Sequence, residues 1–412
     1  MPPDTAKPVS GSPAEPRLEV RIAATGEDLL SAISRVLDAI PDPPSGPQAL
    51  ARRLGVDKVL ASRLLKAVKA PDPVSVINRA PGPDPLRRVV KAAGKQGVDA
   101  ALIRTATEAI DRFERLIRDE IGDRASLDAI VSAWVPEARR EFELRRKQSL
   151  FKALSHLKGA HAESITATVF LAPAADGKHL DIVWLNGLFG LTRLRPGAAI
   201  KFATRRFASD LAARKPQTLA GREVEDQSDL LLAEYCSRPT PTLRAHPVGE
   251  IVHYTLDSTR FGPASAVDLV HAEVNRSEMK RTVPAGSGRK AYVFAEVSTP
   301  AKVLQFDAFV HESVYPGATP RLRIYDTAFE GVADVNNPAR DIDALDVLES
   351  ISPLPNGMQS CRSAVAPRYV EMLDKVCTQM HWKGEEFRGY RCRIEYPIYG
   401  AQVTMLFDPP SQ

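Results

Sequence analysis

Apolar residues recur at helical spacing through the first 160 or so positions, then give way to short alternating runs, so the chain reads as an α-helical half followed by a β-rich α+β region. Thr25, Gly26, Glu27 and Asp28 predict a capping box. It would open an amphipathic helix whose Leu29, Leu30, Ile33, Val36, Leu37 and Ile40 share one face, ended by Pro41, Pro43 and Pro44. Further helices are predicted over 48–54, 57–69, 85–96 and 99–121. In the last of these, Leu102, Ala106, Ala109, Ile110, Phe113, Leu116 and Ile117 form the stripe. Residues 74–78 fit either a short strand or a single helical turn. Gly122 is a stop, Asp123 or Ser126 opens a helix to Trp134, and Pro136 begins a long helix to about Leu157 that Gly159 closes. From about Ala162, strands are predicted at 165–171, 180–185, 251–256, 292–297, 303–310, 321–325, 391–396 and 402–407, with helical patches at 228–235 and 367–380.

The stretch QALARRLGVDKVLASRLLKAVK, residues 48–69, has a tighter logic. Leu50, Ala51 and Leu54 face inward from the first helix, Gly55 supplies a left-handed turn, and Val56 plugs the junction. Asp57 caps a second helix whose Leu60, Ala61 and Leu64 face the core, the inward line continuing to Val68. Two crossed helices joined by so short a turn, the second presented outward, suit the major groove of DNA. The segment resembles the helix-turn-helix of bacterial transcription regulators. That resemblance implies a DNA-binding domain over 18–95, simple or winged, with 74–78 as the candidate wing strand. A mobile tail over 1–17 precedes it. A helical connector or dimerisation region over 96–160 and an α+β sensing or assembly region over 161–412 follow, the latter divisible near 239–247.

Charge sharpens this reading. Between positions 47 and 95, eleven Lys or Arg face three Asp or Glu, a net of +8 in a chain whose formal total is +4. Such a cluster repels itself unless a polyanion neutralises it. Lys58, Ser62 and Arg63 are the expected base contacts, because Arg and Lys donate to guanine O6 and N7. Arg52, Arg53, Lys66 and Lys69 are the expected phosphate contacts, with Arg87, Arg88 and Lys91 extending the backbone footprint. The plainer alternative is a helical hairpin with a solvated basic face. On the long helix, Phe142, Leu150, Phe151, Leu154 and Leu157 would line one side among many Arg and Lys, as a connecting or dimerising helix, an accessory nucleic-acid surface, or a packed stripe with a solvated face.

At 412 residues, with 44% hydrophobic and 26% charged, two or three domains are expected. The four cysteines point to a reducing compartment. The amino terminus lacks the apolar core of a secretory signal, and the most apolar run, 182–192, is too short to span a bilayer. A cytoplasmic, nucleoid-associated protein with no membrane contact is therefore expected. No Gly-x-Ser-x-Gly or P-loop pattern occurs, and Gly286-Ser287-Gly288-Arg289-Lys290 reads as a hairpin turn. Cys361, Cys377, His381 and Cys392 lack the short ligand pairs of a zinc site and read as buried free cysteines with a nearby histidine. His311 and Glu312 would point to opposite faces of a strand, and His253, His271 and His311 would form a site only if the fold gathered them. No metal, cofactor or catalytic residue is expected. The leading reading is a DNA-binding transcriptional regulator that acts as a homodimer or higher homo-oligomer on double-stranded DNA, its carboxy-terminal region oligomerising or sensing a small-molecule effector. The alternative is an architectural or partition-type DNA-binding protein that self-assembles through its β-rich half, and after it an enzyme with an accessory basic domain.

Overall fold

A computed structural model describes residues 17–41, 46–206, 216–248, 251–257, 260–355 and 357–411. The fold is α+β, helical first and sheet-rich afterwards, in two compact units, Met1–Glu143 and Leu144–Gln412. Residues 1–16 of the expected 1–17 tail and the stops at Pro43 and Pro44 lie outside the described residues.

Helix boundaries in the first unit follow local chemistry. The elements are α1 (Leu18–Asp38), α2 (Pro47–Leu54), α3 (Lys58–Val68), α4 (Pro73–Arg79), α5 (Pro83–Lys95), α6 (Ala100–Arg115), α7 (Arg124–Ser132) and the start of α8 (Pro136–Lys158). A π-helical segment, Leu116–Ile121, prolongs α6 until Gly122. Asp57, Asp72, Asp99 and Asp123 each accept amide hydrogen bonds from the first turn that follows them. All seven complete helices bury residues in one core, from Ile22, Leu29 and Val36 of α1 to Leu127 and Val131 of α7.

Several expectations are corrected here. Helix α1 starts at Leu18, so Thr25 is mid-helix and its hydroxyl donates to the Arg21 carbonyl (2.8 Å) instead of capping. The fully buried Ile22 explains the difference, since it extends the apolar stripe by another turn and tertiary burial overrides a local cap signal. Gly26 marks a close helix crossing: a Cβ there would lie 2.1 Å from the Pro73 carbonyl oxygen. Residues 74–78 form helix α4, opened by Pro73 and by Asp72, which accepts from the Ser75 amide and hydroxyl (2.9 and 2.6 Å). The described residues of the first unit contain no strand, so no wing follows α3. Helices α6 and α7 share the core of α2 and α3, and the compact unit that holds them runs to Glu143. On α8, Leu150 and Leu157 are 39% and 72% exposed and do not complete the expected packed stripe.

In the second unit a six-stranded sheet has the order β10-β11-β8-β1-β2-β6. These strands are β1 (Ala160–Pro173), β2 (His179–Arg193), β6 (Val267–Lys280), β8 (Ala301–His311), β10 (Ile351–Pro353) and β11 (Phe387–Glu395). Only β1 and β8 run parallel among these pairs. One face packs against a three-stranded sheet of order β7-β12-β9 (Ala291–Glu296, Ala401–Phe407 and Arg321–Asp326), the other against α9 (Tyr369–Met380). Period-two alternation sorts β1 between the layers: Ala167, Val169 and Leu171 join the sheet-on-sheet core, Phe170 and Ala172 the helix side. A third sheet, β3-β5-β4 (Lys201–Arg206, Ile251–Leu256, Leu243–Val248), contributes Leu243 and Leu256 to that same core. The expected helical patch at 228–235 is two short 3-10 turns, Gln227–Leu230 and Ala233–Tyr235. The turn at 286–290 links strands of two different sheets, so it closes no hairpin. All four cysteines are buried and free, and burial pushes the Cys377 and Cys392 thiols up to about 12.

A polar network bolts α9 to the sheet. Buried Asp307 on β8 takes a bidentate pair from Arg391 of β11 (2.8 and 2.7 Å) and a hydrogen bond from the Tyr369 hydroxyl (2.6 Å). Gln305 also donates to Asp307 (3.0 Å), and Thr168 shares a hydrogen bond with Tyr369 (2.8 Å). Complete burial, then the Asp307 charge, holds the Tyr369 hydroxyl protonated well above the ordinary tyrosine range.

Two outcomes follow. Gly26→Ala should lower the urea midpoint of the first unit, because overpacking costs about 1–3 kcal/mol and exceeds the gain of about 1 kcal/mol in helix propensity; an unchanged or raised midpoint would show that α1 and α4 do not cross closely. Tyr369 contributes fully below pH 10.0, where neither state ionises, and its contribution falls at higher pH as only the unfolded chain loses the proton. Tyr369→Phe should therefore cost about 1–3 kcal/mol near neutrality and flatten the alkaline loss of stability, read by urea titration across pH.

Candidate nucleic-acid interface

The site begins with a turn that only one residue type makes cheaply. Helix α2 ends at Gly55, whose φ of 62° is left-handed, and Val56 closes the turn by donating to the Ala51 carbonyl (3.0 Å). A Cβ at Gly55 would meet nothing within 4 Å, so the requirement is for backbone conformation and not for space. Asp57 then caps α3 by accepting from the Val59 and Leu60 amides (2.7 and 3.4 Å).

Burial fixes how α3 is turned. Ala61, Leu64 and Ala67 are buried, while Leu60 and Val68 are half-buried, so the inward line is centred on Leu64, in the same direction as the expected Leu60, Leu64 and Val68, with Ala67 added to it. At about 100° per residue, the opposite side then centres on Ser62 and Lys66, flanked by Lys58, Lys69 and Val59. Lys58, Lys66 and Lys69 are exposed and Ser62 is half-buried. From Lys58 to Lys69 this row extends about 16 Å. Val59 is 73% exposed, an apolar side chain off the packing line that sequence reasoning passed over.

Arg63 lies on the shoulder of α3. Its Nε donates to the Arg79 carbonyl at the end of α4 (3.2 Å), which draws it toward α5. Arg124 holds that same end of α4 through the Ile77 and Asn78 carbonyls (3.0 and 2.9 Å). Between α3 and α5 opens a groove of about 650 Å³ lined by Arg63, Arg88, Lys91 and Lys95, with Asp57 as the one carboxylate among its lining residues. Lys95 escaped the sequence reading, although its spacing from Arg88 and Lys91 places all three on one helical face. Arg52 and Arg53 are exposed on α2, Arg52 donating to the Gln48 carbonyl (3.5 Å) and Arg53 to the Pro41 carbonyl (2.7 Å).

Arg87, expected on the phosphate footprint, faces α6 instead. It pairs with Asp111 (2.7 Å), Glu114 and Asp84 (3.3 Å). Those hydrogen bonds, Glu114 first, raise its pKa, and Arg87 in turn holds the Glu114 carboxyl below the usual range. Its spacing predicts a helix surface equally well for either role, and only the packing of α5 on α6 decides between them.

The three histidines singled out in the second unit do not gather as a metal-holding set among the described residues. His253, His271 and His311 lie on β5, β6 and β8, and β6 and β8 are three strand spacings, roughly 14 Å, from each other. Among the described residues no three His, Cys, Asp or Glu side chains gather as a metal site. No described helix is long and apolar enough to cross a membrane. No protein-family model matches the chain, and no curated protein matches it.

Proposed function

We propose that the protein binds double-stranded DNA as a transcriptional regulator, with α3 in the major groove. The observation that carries this reading is the orientation of α3: small buried residues beneath it, and Lys58, Ser62, Lys66 and Lys69 on the side turned to solvent. Lys58 and Ser62, at the amino-terminal end, are the proposed base contacts, and Val59 suits the methyl group of thymine. Arg63 stays a proposed base contact from the groove side of α3. Lys66, Lys69, Arg52 and Arg53 would hold phosphates, and Arg88, Lys91 and Lys95 would extend that footprint along the groove. A single reading helix spans few base pairs, so the active form is proposed to be a homodimer or higher oligomer. The second unit is assigned effector sensing or oligomerisation, and the protein a place on the cytoplasmic nucleoid.

Fluorescence anisotropy on a fragment selected from genomic DNA, beside a scrambled copy, tests the reading. Affinity should fall by about 10³-fold or more as salt rises from about 50 to about 200 mM. Lys58→Ala should cost about 1–3 kcal/mol on the selected sequence and much less on the scrambled one. Equal losses would replace sequence reading with a non-specific coat, as an architectural protein would show. Arg88→Ala should weaken both duplexes alike and reduce the salt slope by about one. Arg87→Ala should lower the urea midpoint and leave DNA affinity unchanged; a loss of affinity without a change in stability would return Arg87 to the phosphate footprint.

A further inference from the structure

An open sheet ends in strands whose outer backbone groups need a partner, and most of those in this protein are guarded. Along β6, Gln217 and Val274 exchange backbone hydrogen bonds (2.8 Å each), and Leu232 donates to the Val270 carbonyl (2.9 Å). On β9, the Ile324 carbonyl accepts from Leu345 (2.8 Å). Strand β10 is three residues long and ends at Pro353, β4 contains Pro247, and β3 has an irregular register between Lys201 and Ala203. Strand β7 has none of these devices. Its six residues pair with β12 without a break, and no second strand or bridge meets them among the described residues.

The ladder fixes which groups are left over. Val297 donates to the Ala401 carbonyl (2.9 Å), so antiparallel alternation turns the backbone groups of Ala291, Val293 and Ala295 toward β12. Those of Tyr292, Phe294 and Glu296 point outward. One step earlier in that outward row, Lys290 is closed off by the Asn336 carboxamide, which accepts from its amide (2.7 Å) and donates to its carbonyl (3.1 Å). Among the described residues nothing comparable meets the outward N–H and C=O groups of Tyr292, Phe294 and Glu296. A cleft of about 600 Å³ opens beside Phe294 and Glu296, floored by Trp184 and Asn186 of β2 and by His271 and Glu273 of β6.

We propose that an extended segment of a partner protein docks here, adding to β7 as a fourth strand of the three-stranded sheet. A row of alternating donors and acceptors is complemented by another extended backbone, which supplies both kinds of group at matching intervals. The space has the corresponding shape. Beyond the β7 edge the six-stranded sheet continues beneath as β2 and β6, so about two strand widths, roughly 10 Å, stand uncovered. Two copies of the chain cannot use this edge on each other, because pairing β7 with β7 would drive both projecting β2–β6 halves into one space. A single strand fits. Alternate side chains of the docked segment would turn down onto β2 and β6. Trp184, half-buried and stacked on Phe306 (6.4 Å), favours an apolar or aromatic residue above it. The proposal names a protein partner for the second unit and is independent of the role proposed for α3.

A random dodecapeptide library displayed on phage and panned on the full-length protein supplies the probe, and fluorescence anisotropy of the enriched peptides reads the binding. The expected result is saturable binding of one peptide per chain. N-methylation of one alternate set of the peptide's backbone amides should weaken it about ten-fold or more, because those amides bond the β7 edge, while methylation of the other set leaves it unchanged. Phe294→Pro removes an outward N–H and keeps the β12 ladder, so it should cost a similar factor. The methylated peptides, read on the unaltered protein, keep the test decisive should that variant fold poorly. Enrichment of no peptide, binding that withstands methylation of either set, or full affinity in a folded Phe294→Pro variant would overturn the proposal. The titration contains no DNA, so its failure leaves the proposed role of α3 untouched.

Discussion

Burial of a narrow, small-residue stripe decides what α3 shows to solvent. Ala61 and Ala67 bring the helix close to its neighbours, and Leu64 between them fills the remaining space. Turning the helix by one residue would bury a lysine or expose Leu64, and burying an unpaired charge costs far more than any surface contact returns. The row from Lys58 to Lys69 is therefore set by packing on its far side. Gly55 and Asp57 set where the helix starts, and the packed stripe sets which way it faces.

The same division between local and tertiary causes explains what was legible. Gly55, Asp57, Asp99, Gly122 and Pro136 act on the few residues around them, and the helix ends they mark were readable without the fold. The start of α1 was not, because Ile22 and Gly26 acquire meaning only against α4. Residues 74–78 became a helix through Asp72 and Pro73, a cap signal that their β-branched residues obscured. Strand β6 was missed for a related reason. Its Asp268, His271, Glu273 and Asn275 dilute the β-prone pattern, and those polar positions are half-buried while the apolar residues between them are in the core.

At the site, most of the basic side chains named from sequence are exposed where the helical face placed them. Arg87 and Lys95 differ because helix geometry alone cannot say which neighbour covers which side. Helix α6 supplies Asp111 and Glu114 beside Arg87, whereas Lys95 has the open groove before it. Charge is thus gathered on one side of the first unit. Its groove is lined by Arg63, Arg88, Lys91 and Lys95, with Asp57 the one carboxylate among the lining residues. Such a cluster is costly in isolation and becomes favourable with a ligand of opposite sign.

Entry of α3 into the major groove is the claim on which the functional reading stands, and methylation interference tests it most directly. Guanine N7 lies in the major groove and adenine N3 in the minor groove. Methylation at guanine N7 within the bound site is expected to block binding, while methylation at adenine N3 leaves it intact. Interference from adenine N3 alone, or from neither position, would contradict a major-groove reading by α3.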